Sequence, residues 1–214
     1  MTVGDWFVLL GYAALATTAG SLLLRRFGFQ DPLVANWGAC LLCGQMLLTL
    51  AMLTTAFVPW RLPQLGPTVI AGTALLALVE LVVTRRRGPA PGAARRAAAE
   101  VGLLLLPLLL FPNLVFVVQH MPPIAWDARS IWFLHGRFLT LAEGIDPALF
   151  ADPRISWSHP DYPLHLSAQS AWIAWLRGAW SDVATRSFLL VTFAATFRLA
   201  LAVFAAPGRP AWLA

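Results

Sequence analysis

Six apolar runs dominate the sequence, and their lengths limit what the chain can fold into. A membrane-crossing helix needs about 20 predominantly apolar residues. Runs of about that length cover residues 5–24, 32–58, 66–84, 99–118 and 184–206, and a shorter, tryptophan-rich run covers 163–176. Only 12% of the residues are charged, whereas soluble domains carry about 25%. The pattern predicts an all-α transmembrane helical bundle of about six spans.

The basic residues predict how these spans are oriented. All fifteen are arginines, and they cluster at the ends of apolar runs rather than along a nucleic-acid-binding face. Five lie within residues 85–96, and Arg25-Arg26 closes the first run. Short loops rich in arginine stay in the cytoplasm, so the N-terminus and the 119–162 loop are expected outside. The arginine-only, alanine- and leucine-rich usage suggests a bacterial inner membrane, with membrane lipids as neighbours and no nucleic acid as partner.

The 163–176 run is the exception, because it is short for a span. It either crosses the membrane with help from residues 176–183 or is re-entrant. If it is re-entrant, the C-terminal tail moves to the cytoplasmic side. We divide the chain into an N-terminal three-span segment, 1–98, and a second segment, 99–214, that contains the long polar loop.

Cys40 and Cys43 form a CxxC pattern inside an apolar run. A redox pair needs access to water, and a metal site needs further ligands. We therefore expect both cysteines to be small buried hydrophobes.

The polar segment 119–164 holds three of the four histidines and is where chemistry can meet water. Pro122-Pro123 should end the fourth helix. The stretch after it predicts a helix along the outer membrane surface, with an apolar face of Ile131, Leu134, Phe138 and Leu141 and a stop at Gly144.

Two acidic positions in this segment have two interpretations each. Asp127 either caps the surface helix or is a carboxylate that takes a proton from an incoming hydroxyl. In the motif Ser158-His159-Pro160-Asp161-Tyr162-Pro163, Asp161 is either a helix cap or a functional group beside His159 and Tyr162. Asp127, Asp161, His135 and His159 are suitable metal ligands, but their spacing matches no compact zinc motif. A divalent ion is thus a candidate cofactor, with Asp127, Asp161 and His159 as its candidate ligands.

The pair WDARSIW and SHPDYPL, some thirty residues apart, resembles the first external loop of polytopic glycosyltransferases with the GT-C fold. These are relatives of the dolichyl-phosphate-mannose protein mannosyltransferases and of the lipid A sugar transferases. The resemblance covers roughly residues 100–206. This chain departs from the family pattern in having three spans before the motif helix and Asp161 where a second proline is usual. It is also about half the family's common length, so the resemblance implies an N-terminal portion.

The resemblance implies a polyprenyl-phosphate-linked sugar as donor and Asp127 as the catalytic base that activates the acceptor. Arg129 and Arg137 are our candidates for the lipid phosphate, since the guanidinium fork suits a phosphate. His159, Asp161 and Tyr162 would support the acceptor or an ion.

Two other functions remain open at this stage. One is a non-catalytic membrane subunit that binds a lipid or a second membrane protein. The other is a small transporter, which should show paired polar residues deep in several spans. The apolar runs here contain few polar residues, which disfavours transport.

Overall fold

The structure, a computed structural model, describes residues 1–29, 32–85, 105–120 and 128–205. Within these ranges every regular element is helical, as the apolar runs predict. The α-helices are α1 (Val3–Arg26), α2 (Pro32–Thr54), α3 (Leu62–Arg85), α4 (Leu105–His120), α5 (Phe133–Leu141), α6 (Pro147–Phe150), α7 (His165–Arg177) and α8 (Phe188–Ala205). A π-helical turn, Ala128–Trp132, precedes α5, and 3-10 turns cover Pro153–Ser158 and Ala184–Arg186.

Four helices in the described ranges are long and apolar enough to cross a membrane. They are Val3–Arg26, Asn36–Thr54, Leu62–Val83 and Ala184–Ala202. They correspond to four of the six predicted runs, which confirms a membrane protein but not the count of six. Only residues 105–118 of the predicted fourth run are described, in α4. The described part of α4 reaches His120, and Pro122-Pro123, which are predicted to end this helix, lie outside the described residues.

The start of α2 is interrupted at Asn36, whose backbone is extended (φ −164°, ψ 87°). The Asn36 Oδ1 accepts a hydrogen bond from the backbone N–H of Ala39 at 3.1 Å. Asparagine here caps the membrane-crossing part of α2.

Helices α1 and α2 approach closely because small residues line their contact. A Cβ built on Gly20 would lie 1.8 Å from the carbonyl oxygen of Cys40, and one on Gly44 would lie 1.7 Å from that of Ala16. Small residues four apart on facing helices are the usual means by which membrane helices reach this distance. Cys40 is fully buried at this contact and Cys43 is half-buried, and both thiols are free. The predicted role of Cys40 as a small buried hydrophobe is confirmed.

The bundle has two ends, which we call the loop end and the arginine end. At the loop end α1 begins, α2 ends and α3 begins. At the arginine end, Arg25 near the end of α1 pairs with Glu80 near the end of α3, at 2.8 Å. Glu80 therefore serves the packing of two spans.

Helix α7 does not cross the bundle. Its first residue, His165, contacts Thr49, which lies five residues before the loop end of α2. Its last residue, Arg177, donates to Asp5, which lies two residues after the start of α1, at 2.9 Å. Both ends of α7 are thus at the loop end, since five helical residues span only about 8 Å. The 163–176 segment is an inserted helix, which resolves the open alternative in favour of the re-entrant one and lowers the predicted span count.

Helix α8 then runs from the loop end toward the arginine end, antiparallel to α2. Thr192 accepts from Gln45 at 2.7 Å, and a Cβ on Gly38 would lie 2.3 Å from the carbonyl oxygen of Ala195. Arg198, further along α8, is 6% exposed. The end of α8 therefore lies on the side of the bundle where α1 ends.

Candidate functional site at the loop end

The segment 142–146 attaches the polar loop to the end of the bundle. The backbone N–H of Leu62 donates to the carbonyl of Glu143 at 2.6 Å, and that of Ile145 donates to the hydroxyl of Thr55 at 2.7 Å. Arg61 donates to the carbonyl of Ile145 at 3.2 Å. These bonds join the loop to the α2–α3 connection, so the residues that follow it lie over the loop end.

Helix α5 packs against the inserted helix α7. A Cβ on Gly136 would lie 3.0 Å from the Cβ of Ser170, and Ser167 donates its hydroxyl to the carbonyl of Trp132 at 2.9 Å. The buried face of α5 consists of Ile131, His135, Gly136 and Leu139.

The face predicted from sequence was wrong in part, since Leu134 and Phe138 are only half-buried and Leu141 is 75% exposed. The reason is that α5 turns its small and polar side to a polar partner helix, α7. The helix also ends at Leu141, before the predicted stop at Gly144.

His135 is a fully buried imidazole that links α5 to the 3-10 turn Pro153–Ser158. Ser158 gives its hydroxyl proton to the carbonyl of Ile155 at 2.7 Å, so it must accept from His135 Nε2, which is 3.1 Å away. The proton is therefore on Nε2, while Nδ1 is buried and has no partner among the residues that the structure describes. Burial lowers the pKa of His135, because desolvation disfavours the charged ring.

An exposed ion pair between Asp152 and Arg154 lies just before the motif Ser158-His159-Pro160-Asp161-Tyr162-Pro163 in the chain. Asp152 caps the 3-10 turn through the backbone N–H of Arg154 at 2.9 Å. Its carboxylate also accepts from the Arg154 guanidinium at 2.6–3.0 Å. The Arg154 side-chain bonds lower the pKa of Asp152 to about 2, so this carboxylate stays ionised at any physiological pH.

The predicted motif residues His159, Asp161 and Tyr162 form an exposed aromatic and acidic turn. His159 adopts the left-handed backbone conformation (φ 52°), and its carbonyl accepts from the N–H of Tyr162 at 3.0 Å. The His159 and Tyr162 rings stack with their centroids 4.8 Å apart, and the Trp132 ring lies against Tyr162 with a centroid distance of 5.8 Å. Asp161 is exposed, and the N-cap of α7 is Leu164. The helix-cap interpretation of Asp161 is therefore wrong.

The remaining site residues are two exposed arginines and one carboxylate. Arg129 lies in the π-helical turn and Arg137 in α5, and both side chains are exposed. Asp127 lies outside the described residues, immediately before that turn. Among the described candidate residues, the structure shows contact between His159 and Tyr162, and it gives none between either arginine and that turn.

The proposed metal ligands are only partly within the described structure. In the parts of the chain that are described, no group of three or more His, Cys, Asp or Glu side chains comes together. His159 and Asp161 are there, while Asp127 is not.

The sequence reasoning missed a buried polar network that holds α7 in the bundle. It joins four helices through Tyr12 of α1, Gln45 and Thr49 of α2, His165 and Gln169 of α7, and Thr192 of α8. The Tyr12 hydroxyl donates to Gln169 Oε1, and Gln45 Nε2 donates to Tyr12 at 3.0 Å and to Thr192 at 2.7 Å. Gln169 Nε2 donates to the Gln45 carbonyl at 3.0 Å and to Thr49 at 2.8 Å.

The network occupies both protons of each glutamine amide, while Gln45 Oε1 remains a buried acceptor without a partner. Trp172 adds a further bond to the carbonyl of Leu48 at 2.9 Å. Polar groups at this depth are costly unless satisfied. The signal that could have revealed them is the Ser-Ala-Gln-Ser run of α7, which is too polar for a helix facing lipid.

Comparisons with protein-family models, with curated proteins and with solved structures gave no match to this chain.

Proposed function

We propose that the chain is, or is part of, a membrane glycosyltransferase that uses a polyprenyl-phosphate-linked sugar at the loop end of the bundle. The observation that supports this most is the clustering of its polar groups. The exposed His159, Asp161 and Tyr162 turn, the surface helix α5 and the inserted helix α7 meet at one end of a membrane bundle. A lipid-linked donor presents its phosphate and sugar at such a boundary.

The positive-inside rule assigns the arginine end to the cytoplasm and the loop end to the outside. In this orientation the exposed Arg129 and Arg137 are the proposed ligands of the lipid phosphate. Guanidinium groups would bind the phosphate in the donor and stabilise it as a leaving group.

Asp127 is the proposed base. Its position two residues before Arg129 would bring a carboxylate next to the phosphate-binding surface. Proton removal from the acceptor hydroxyl then accompanies attack on the anomeric carbon, with the polyprenyl phosphate leaving from the opposite face. Asp161 and His159 would orient the acceptor or hold a divalent ion.

Binding and catalysis are tested separately. Polyprenyl monophosphate in detergent micelles is titrated against the purified protein and against Arg129→Gln and Arg137→Gln. Arg26→Gln is the matched control, because Arg26 is an exposed arginine at the opposite end. Loss of roughly tenfold in affinity for each loop-end variant, with the control unchanged, supports the assignment. Equal affinities for all four proteins would refute it.

Catalysis is assayed as transfer of label from radiolabelled polyprenyl-phosphate hexoses and pentoses in membranes. Asp127→Asn is expected to abolish transfer, by at least 100-fold, without changing the thermal unfolding temperature. Normal turnover by this variant would remove Asp127 from the mechanism.

A further inference from the structure

His165 is the histidine that lies outside the polar segment 119–164, and it stands at the junction of the loop and the buried network. It is half-buried at the start of α7, and its Nδ1 lies 2.8 Å from the Thr49 hydroxyl oxygen. Among the described residues no side chain bonds its Nε2. One nitrogen of the ring is thus fixed inside the bundle, and the other is left for water or a ligand.

The protons of the surrounding network can be assigned one by one. Gln169 Nε2 donates to the Thr49 hydroxyl and to the Gln45 carbonyl. Thr49 has a single proton and two acceptors within reach, the Gln45 carbonyl at 3.0 Å and His165 Nδ1 at 2.8 Å. A hydroxyl rotates about its C–O bond and can also accept two hydrogen bonds.

The bond between His165 and Thr49 is kept in both charge states of the ring. In the neutral ring with its proton on Nδ1, Nδ1–H donates to the Thr49 hydroxyl, and Thr49 gives its own proton to the Gln45 carbonyl. The charged ring makes the same two bonds, so a proton enters or leaves at Nε2 without the movement of a heavy atom.

We propose that His165 and Thr49 form a proton-exchange site at the loop end, in which the imidazole gains and loses a proton at Nε2 while its Nδ1–H donates to the Thr49 hydroxyl in both charge states. Such a site supplies a general acid or base for an oxygen acid, such as a hydroxyl or a phosphate monoester, at the membrane surface. It does not depend on glycosyl transfer or on Asp127.

The charged and titratable groups on the packed elements are partnered away from His165. Asp5 of α1 pairs with Arg177 at the far end of α7, and His135 of α5 bonds Ser158. Tyr12 reaches His165 only through Gln169 and Thr49. Arg186, before α8, donates to the carbonyl of Asp182, and Arg137 of α5 is exposed. Among the described residues, Thr49 is thus the side chain that bonds the His165 ring directly.

The test is a pH titration of the 15N-histidine-labelled protein in detergent micelles by NMR, which needs no substrate. The chain has four histidines, and His165→Gln identifies the His165 signals by their disappearance. The titration runs from about pH 8 to about pH 5, and we expect the His165 signals to change within it, with burial lowering the pKa of the ring because it disfavours the charged form. Thr49→Val should lower its pKa by about one unit, because hydrogen bonds to a charged group are stronger than those to a neutral one. Thr49→Ser, which keeps the hydroxyl, should titrate like the native protein.

Two results would overturn the proposal. One is a His165 ring that holds a single protonation state across this range. The other is the same pKa in Thr49→Val as in Thr49→Ser, which would leave Thr49 a purely structural role. If Thr49→Val does not fold, the titration of the native protein tests the proposal. Titration with the Trp172 indole signal unchanged supports the site, and titration that coincides with unfolding refutes it.

Discussion

Replacing Gln169 with leucine tests whether the buried network holds α7 in the bundle. Gln169 is fully buried and makes three hydrogen bonds, with Tyr12, with the Gln45 carbonyl and with Thr49. Hydrogen bonds between membrane helices average about 0.6 kcal/mol, so three contribute about 2 kcal/mol. The Tyr12 hydroxyl would also lose its acceptor in a buried position, which costs about 1–3 kcal/mol. Leucine recovers part of this through apolar packing, which leaves an expected loss of about 2–4 kcal/mol.

The free energy of unfolding would be measured in mixed detergent micelles as the fraction of denaturing detergent rises. Gln64→Leu is the matched control, because Gln64 is exposed and accepts only from the backbone of Arg61, at 3.1 Å. A double-mutant cycle with Tyr12→Phe isolates the direct bond. A loss below about 0.5 kcal/mol for Gln169→Leu, or additive effects in the cycle, would refute the account of the network.

Two further predictions concern helix contacts. Gly20→Ala should destabilise the bundle by about 1–3 kcal/mol, because its Cβ would lie 1.8 Å from the Cys40 carbonyl oxygen. Gly11→Ala in the same helix is the control. It has nothing within 4 Å of its Cβ and should be neutral or slightly stabilising. Equal unfolding free energies for these two variants would contradict the close contact. Because burial lowers the pKa of His135, the unfolded chain takes up its proton at a higher pH than the folded one, so stability should fall as pH drops below about 6.5. His135→Gln should weaken that dependence in thermal unfolding followed from pH 8 to 5, and an unchanged slope would contradict the burial argument.

The sequence predicted the membrane class and four of the spans because apolar length is a property of one helix alone. It could not show whether the 163–176 segment crosses the membrane or is re-entrant, since that depends on which partners its polar residues meet. Gln169 and His165 find theirs on α1 and α2, more than 100 residues earlier in the chain. Helical spacing gave the wrong inner face for α5 because the partner helix is itself polar.

For the candidate site, the motif residues His159, Asp161 and Tyr162 do form one exposed turn. Their local sequence determines this, since the segment is short and rich in proline. The contribution of Thr49 had no local signal, because it is a single polar residue within an apolar run. Only the packing of α7 against α2 reveals it.

The central claim, that α7 enters and leaves the bundle at the same end, is tested most directly by labelling single cysteines from one side of the membrane. Cys40 and Cys43 are changed to alanine, and one cysteine is introduced as Asp161→Cys, Ala179→Cys or Phe27→Cys, all at exposed positions. Spheroplasts and inverted vesicles are treated with a membrane-impermeant maleimide. The account predicts that the cysteines at 161 and 179 react from the same side and that the one at 27 reacts from the other. Labelling of 161 and 179 from opposite sides would contradict it and make α7 a span.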